Sequence, residues 1–165
     1  MTHIEQFQKE FEREAISMRK MLSIVPNDKY DWKPHPKSMT LRQLATHVAE
    51  IPLWFGMVLN TQELDFSVNE YKPKEINDTA TLVAYLEENI IQARKDLAAG
   101  KEESLDELWS LRNGEEIYSS DPKRDAIRMS FNQIIHHRAQ LGVFLRLLDI
   151  PIPGTYGPSA DDMSF

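Results

Sequence analysis

The sequence predicts an all-α fold, a four-helix bundle with a small β-hairpin between its third and fourth helices. Three observations on the 165-residue chain support this. Apolar residues step by three and four along four long stretches, the spacing of one oily helix face. Capping residues stand where those stretches begin. Between residues 105 and 119 the helical spacing lapses around Asn113-Gly114, a dipeptide suited to a tight turn between strands.

The first helix starts at Thr2, with Glu5 completing a capping box. Ile4, Phe7, Phe11, Ala15, Met18 and Leu22 form its apolar face, and Pro26-Asn27 ends it. Asp31-Trp32-Lys33-Pro34-His35-Pro36 is a connecting loop, because each proline drives the residue before it toward extended backbone. A second capping box, Thr40 to Gln43, opens a helix over 40–60 with Leu41, Leu44, Val48, Ile51, Phe55 and Val58 inward. Pro52 should kink it, one turn from His47. Residues 61–77 read as polar and irregular. A third helix, capped by Asp78 or Thr79, carries Leu82, Leu86, Ile90, Ala93 and Leu97 and stops at Gly100. Asp121 as cap and Pro122 as first-turn residue open a fourth helix that runs to about Leu148. The proline- and glycine-rich segment 151–158 reads as a tail that Ile152 and Tyr156 anchor on the bundle.

The length suits one domain, taken as residues 1–165. With no cysteine, disulfide scaffolds, iron–sulfur clusters and thiol nucleophiles are excluded, and a metal must take nitrogen or oxygen ligands. The 26 acidic residues outnumber the 19 basic ones for a net charge of −7, which repels phosphate backbones and argues against nucleic-acid binding. The glycines are too sparse for a phosphate-cradling loop. No apolar run reaches the ~20 residues of a membrane span, and the N-terminal residues lack the apolar stretch of a signal peptide. A soluble, cytoplasmic protein is the expectation.

Each helical residue advances about 100° around the axis, so angles sort the histidines. With Ile127 as origin on the fourth helix, Phe131, Ile134, Leu141, Leu145 and Leu148 share one direction within about 60°. His136 lies about 180° away and faces solvent, whereas His137 at about −80° and Gln133 at about −120° flank the stripe as an i, i+4 pair. On the second helix, with Leu44 as origin, His47 falls near about −60° and Trp54 near about −80°. His47, Gln133 and His137 can therefore converge on one divalent ion, leaving positions open for water or substrate, as a catalytic zinc or nickel site needs. The plainer alternative is that boundary imidazoles only hydrogen-bond within the packing. His3 and His35 read as solvated, and Trp54 as core or pocket wall. Arg138, at about 20° in the middle of the stripe, needs a partner, for which tail carbonyls, Asp161 or Asp162 are the candidates.

Several motifs carry a resemblance: Trp32-Lys-Pro-His-Pro-Lys-Ser38, Leu41-x-x-Leu-x-x-His47, His136-His-Arg-Ala-Gln-Leu141, and Leu147-Leu-Asp-Ile-Pro-Ile-Pro-Gly-Thr-Tyr-Gly-Pro-Ser-Ala-Asp161. In these the chain resembles the DinB/YfiT-like metalloenzymes along its whole length. The resemblance implies a four-helix bundle, often a homodimer, with a divalent-metal site of three histidines. His47 matches the ligand on the second helix and His137 the last ligand, while Gln133 stands where the family pattern has its middle histidine. An amide oxygen binds zinc or nickel less well than imidazole, so the ion is expected to be weakly held or absent. Some relatives are similar to thiol-dependent transferases. The leading expectation is thus a divalent-metal-dependent enzyme, of a transferase or hydrolase kind, in which the metal activates a small-molecule thiol or water toward an electrophile. The alternative is a non-catalytic dimeric bundle or small-molecule binder whose metal site has degenerated at Gln133.

Overall fold

The structure is a computed structural model that describes residues 1–163. Five helices, α1 (His3–Leu22), α2 (Leu41–Glu50), α3 (Leu53–Asn60), α4 (Thr79–Ala99) and α5 (Lys123–Leu147), accompany three strands, β1 (Glu63–Asp65), β2 (Leu108–Asn113) and β3 (Glu116–Pro122). The helices form four columns, because α2 and α3 continue one another: α1 and the α2–α3 column each pack against both α4 and α5. The expected bundle is present.

Local signals account for most boundaries. Thr2 and Glu5 close the first capping box, Thr40 and Gln43 the second, and the Asp78 carboxylate accepts from the Thr81 amide at 2.8 Å. Pro52 does more than kink its helix. Lacking an N–H, it leaves the Val48 carbonyl without its helical donor, and the chain continues through the tighter bonds Trp54 N to Ile51 O and Phe55 N to Pro52 O. The expected single helix over 40–60 is therefore two helices.

The hairpin forms, with its turn one residue later than expected. Asn113 still pairs with Glu116, so Gly114 and Glu115 make the turn, and Gly114 alone takes a left-handed φ, 61°. A bulge between Leu111 and Arg112 shifts the register. The short β1, unforeseen within 61–77, adds parallel to β2 and gives the order β1-β2-β3. Its three residues carry no alternation that could announce them.

The start of α5 corrects a second expectation. Asp121 is no cap, since it pairs with Trp109 as part of β3, and Pro122 stands just before the helix in extended backbone rather than within its first turn. Lys123 is buried, and its Nζ reaches Glu107 Oε2 at 2.9 Å and the Leu59 carbonyl at 3.4 Å. That buried cation ties the first residue of α5 to the residue before β2 and to the end of α3. The far end of α5 closes in a Schellman motif, with Ile150 N bonding Leu145 O, Asp149 N bonding Arg146 O, and Asp149 in the left-handed region at φ 57°.

The core centres on an aromatic chain: Phe11 meets Phe55 edge-on at 5.3 Å, and Phe55 lies 4.7 Å from Phe131. Ile127, Phe131, Ile134, Leu141 and Leu145, the stripe read from helical angles, are fully buried, while Leu148 is half-buried. The tail is ordered by its own bonds. Asp161 pairs with Arg146 and accepts from the Ile152 amide, and Ser159 Oγ donates to the Ile152 carbonyl. Ile152 packs on the core as expected, whereas Tyr156 anchors through its hydroxyl and stays largely exposed. Among the described residues no helix is long and apolar enough to cross a membrane.

Candidate functional site

His47 lies in the last turn of α2, on its border with α5, and His137 lies midway along α5. Their rings meet edge-on with centroids 4.7 Å apart. Two side chains ninety residues apart in the chain are thus neighbours, as the helical angles require. His136 is exposed, its ring 4.9 Å from that of His137.

Each imidazole of the pair has one nitrogen committed. His47 Nδ1 lies 2.7 Å from Glu50 Oε1, and His137 Nδ1 lies 3.0 Å from Gln140 Oε1. Both partners are acceptor oxygens, so each Nδ1 is placed to donate, the tautomer whose lone pair stands on Nε2. A carboxylate behind the ring, as Glu50 is behind His47, is the usual support of a metal-ligating histidine. Burial holds His137 below the ordinary imidazole pKa against the opposing pull of Gln140, and the neighbouring His47 and His136 add to the lowering. Its environment therefore favours the neutral ring.

Glu50 is itself 8% exposed and accepts a second hydrogen bond, from Tyr71 Oη at 2.5 Å. Burial, and then that bond to a carboxylate, push the Tyr71 phenol well above its usual range, so the hydroxyl remains a donor. The loop carrying Tyr71 is in this way pinned beside the histidine pair.

Gln133 sits one turn before His137, but its Nε2 rests 3.9 Å from Met129 Sδ and no bond joins it to either ring. Among the described residues no group of three His, Cys, Asp or Glu side chains is placed to hold an ion. What stands together is a pair of imidazoles, with Gln133 one helical turn away along α5. Trp54 is half-buried on α3, just beyond the Pro52 break. His3 is not merely solvated: its Nδ1 lies 2.7 Å from Glu102 Oε1. His35 is exposed.

Arg138 has a partner the sequence reading did not name. Its Nη2 donates to Glu14 Oε2 at 2.9 Å and to Tyr156 Oη, while Asp161 pairs with Arg146 instead. Glu14 lies on the inward border of α1 among apolar neighbours, so the acid that meets the guanidinium is itself buried. Glu50, Tyr71 and Gln140 were also missed. For two of them a signal existed: His47-x-x-Glu50 and His137-x-x-Gln140 share one spacing, which puts an acceptor one turn after each histidine. Tyr71 had none, because an irregular segment has no period from which to place it.

The columns, the added hairpin and an imidazole pair between the second and last columns define a bundle of the DinB type. A family model, "DinB family", matches residues 1–164, and the chain belongs to that family. "Uncharacterized protein YrdA" of Bacillus subtilis (strain 168) is 23% identical over 164 residues, 96% of this chain and 91% of that protein. Among solved structures, a DinB-like protein from Bacillus cereus ATCC 10987 aligns with a TM-score of 0.73 at 18% identity, covering 94% of this chain and all of that one. A DinB-like protein from Bacillus subtilis aligns with a TM-score of 0.69 at 19% identity over 87% of this chain and 92% of that one. At such identities the likeness speaks for the fold.

Proposed function

We propose that His47 and His137, with the carboxamide oxygen of Gln133 as third donor, hold a divalent ion such as zinc or nickel, and that the chain is a metal-dependent enzyme acting with a small thiol or on an electrophile. The observation that carries this reading is the pair of rings 4.7 Å apart, each with Nδ1 bonded to an acceptor and Nε2 left with its lone pair. Such a donor set suits zinc or nickel. When bound, the ion would supply Lewis acidity, making a thiol or water more acidic near neutral pH.

The chain's own residues do the rest. Glu50 fixes the tautomer and angle of His47, and Tyr71 holds Glu50 in place. Burial favours the neutral form of His137, the form in which an imidazole donates to a metal. Gln133 offers only a neutral amide oxygen, and its nitrogen already rests on Met129, which makes it the weak member. That weakness also favours a second reading, a bundle that binds small molecules without a metal. Association as a homodimer belongs to the first reading and rests on family membership alone.

Calorimetric titration of chelator-treated protein with zinc and with nickel tests the proposal. One ion per chain, lost in His47→Ala, is the expected result. Gln133→His should tighten binding at least tenfold, about 1.4 kcal/mol, by supplying a third imidazole. No uptake by the unmodified chain would favour the second reading, and an unchanged affinity in Gln133→His would mean that residue 133 does not share the site.

A further inference from the structure

The guanidinium of Arg138 is 3% exposed, and only its Nη2 is used: Nε and Nη1 are buried without a hydrogen-bond partner. Five N–H donors in a planar fork rarely stay so poorly matched away from water. Arg138 also lines a cleft of about 480 Å³ between the C-terminal half of α5 and residues 152–159. The cleft is otherwise mainly apolar, bounded by Met21, Val143, Leu147, Ile152 and Pro153, with Arg146 as a second cation. Its size lies within the range of small-molecule sites. It is separate from the histidine pair, since Arg138 bonds to α1 whereas His137 meets α2.

We propose that this cleft binds a small monocarboxylate with an apolar chain, its carboxylate accepting from Arg138 and its hydrocarbon lying along Met21, Val143 and Leu147. A guanidinium matches the planar, two-oxygen geometry of a carboxylate, a charged acceptor makes the stronger bond, and the mainly apolar lining suits a single charge on a hydrocarbon chain. Tyr156 is the cover. Its ring centre is 5.0 Å from Arg138 Cζ, it is 60% exposed, and its hydroxyl bonds to Arg138 Nη2 and to Glu14, so an outward swing would open the guanidinium to the cleft without moving a helix. The tail is thereby both wall and lid.

The test uses the full chain in excess chelator, so that its result is independent of any metal. Octanoate and 1-octanol are titrated by calorimetry, while ¹⁵N-resolved NMR follows the Arg138 Nε–H signal. Octanoate should saturate with a Kd of about 1 mM or tighter, a modest value for a ligand of its size. It should shift the Arg138 signal, and octanol should bind at least tenfold more weakly. Ala139→Phe places a ring in the cleft from an exposed position on α5, leaves the Glu14–Arg138 pair intact, and should weaken octanoate at least tenfold. No binding of octanoate, equal binding of octanol, an unmoved Arg138 signal, or undiminished binding by Ala139→Phe would each overturn the proposal.

Discussion

Replacing Arg138 by leucine should be among the most damaging single substitutions in this chain. Glu14 and Arg138 are 4% and 3% exposed and meet at 2.9 Å, with Tyr156 giving the carboxylate its other bond at 2.6 Å. Arg138→Leu takes away the cation and leaves a buried carboxylate with one neutral donor. Breaking a buried pair from one side costs about 3–5 kcal/mol, much of it the desolvation of the charge left behind. For a chain of this length that is a fall in Tm of about 6–20 °C. Removing both charges, in Glu14→Leu with Arg138→Leu, leaves nothing charged to strand and should recover most of the loss. Urea unfolding followed by far-UV circular dichroism measures both variants, with the slope checked for constancy. A single variant within about 0.5 kcal/mol of the parent, or a double variant worse than the sum of the two singles, would refute the account.

Glu50→Gln keeps an acceptor for Tyr71 but removes the carboxylate behind His47, and should weaken zinc about 10–100-fold by titration with little change in Tm. Arg94 and Arg19 hold Glu12 and Glu87 below the ordinary carboxylate pKa. Their contribution is therefore full above the unfolded value near 4.5 and is lost as pH falls through the lower folded values. Both pairs are partly exposed, so Glu12→Gln with Glu87→Gln should cost only about 0.5–1 kcal/mol per pair at pH 7, less at high salt, and should flatten the acid limb of a Tm–pH profile. Asp149→Gly should raise Tm by about 2–4 °C, because glycine takes the left-handed φ of 57° without strain and the Schellman bonds remain; a fall would mean that the Asp149 side chain matters more than its backbone.

How far the sequence could be read depended on whether the deciding interaction was local. Both capping boxes, the Asp78 cap and the buried stripe from Ile127 to Leu145 are set within a few residues and were legible. So was the sidedness of His47 and His137, since helical rotation fixes which face a residue occupies. Asp121 misled, because a cap signal and a β3 residue look alike until Lys123 is known to reach Glu107 and Leu59.

By itself the sequence determined that the chain is a cysteine-free helical bundle, which columns carry imidazoles, and that a carboxamide, Gln133, stands one turn before His137. Only the tertiary structure decided that Glu14 is the acid facing Arg138, that Tyr71 returns from an irregular loop to Glu50, and that β1 lies alongside β2. The reason is physical. Periodicity and caps are short-range and repeat along the chain, whereas these pairings join segments 21 to 124 residues apart and are set by how the helices pack.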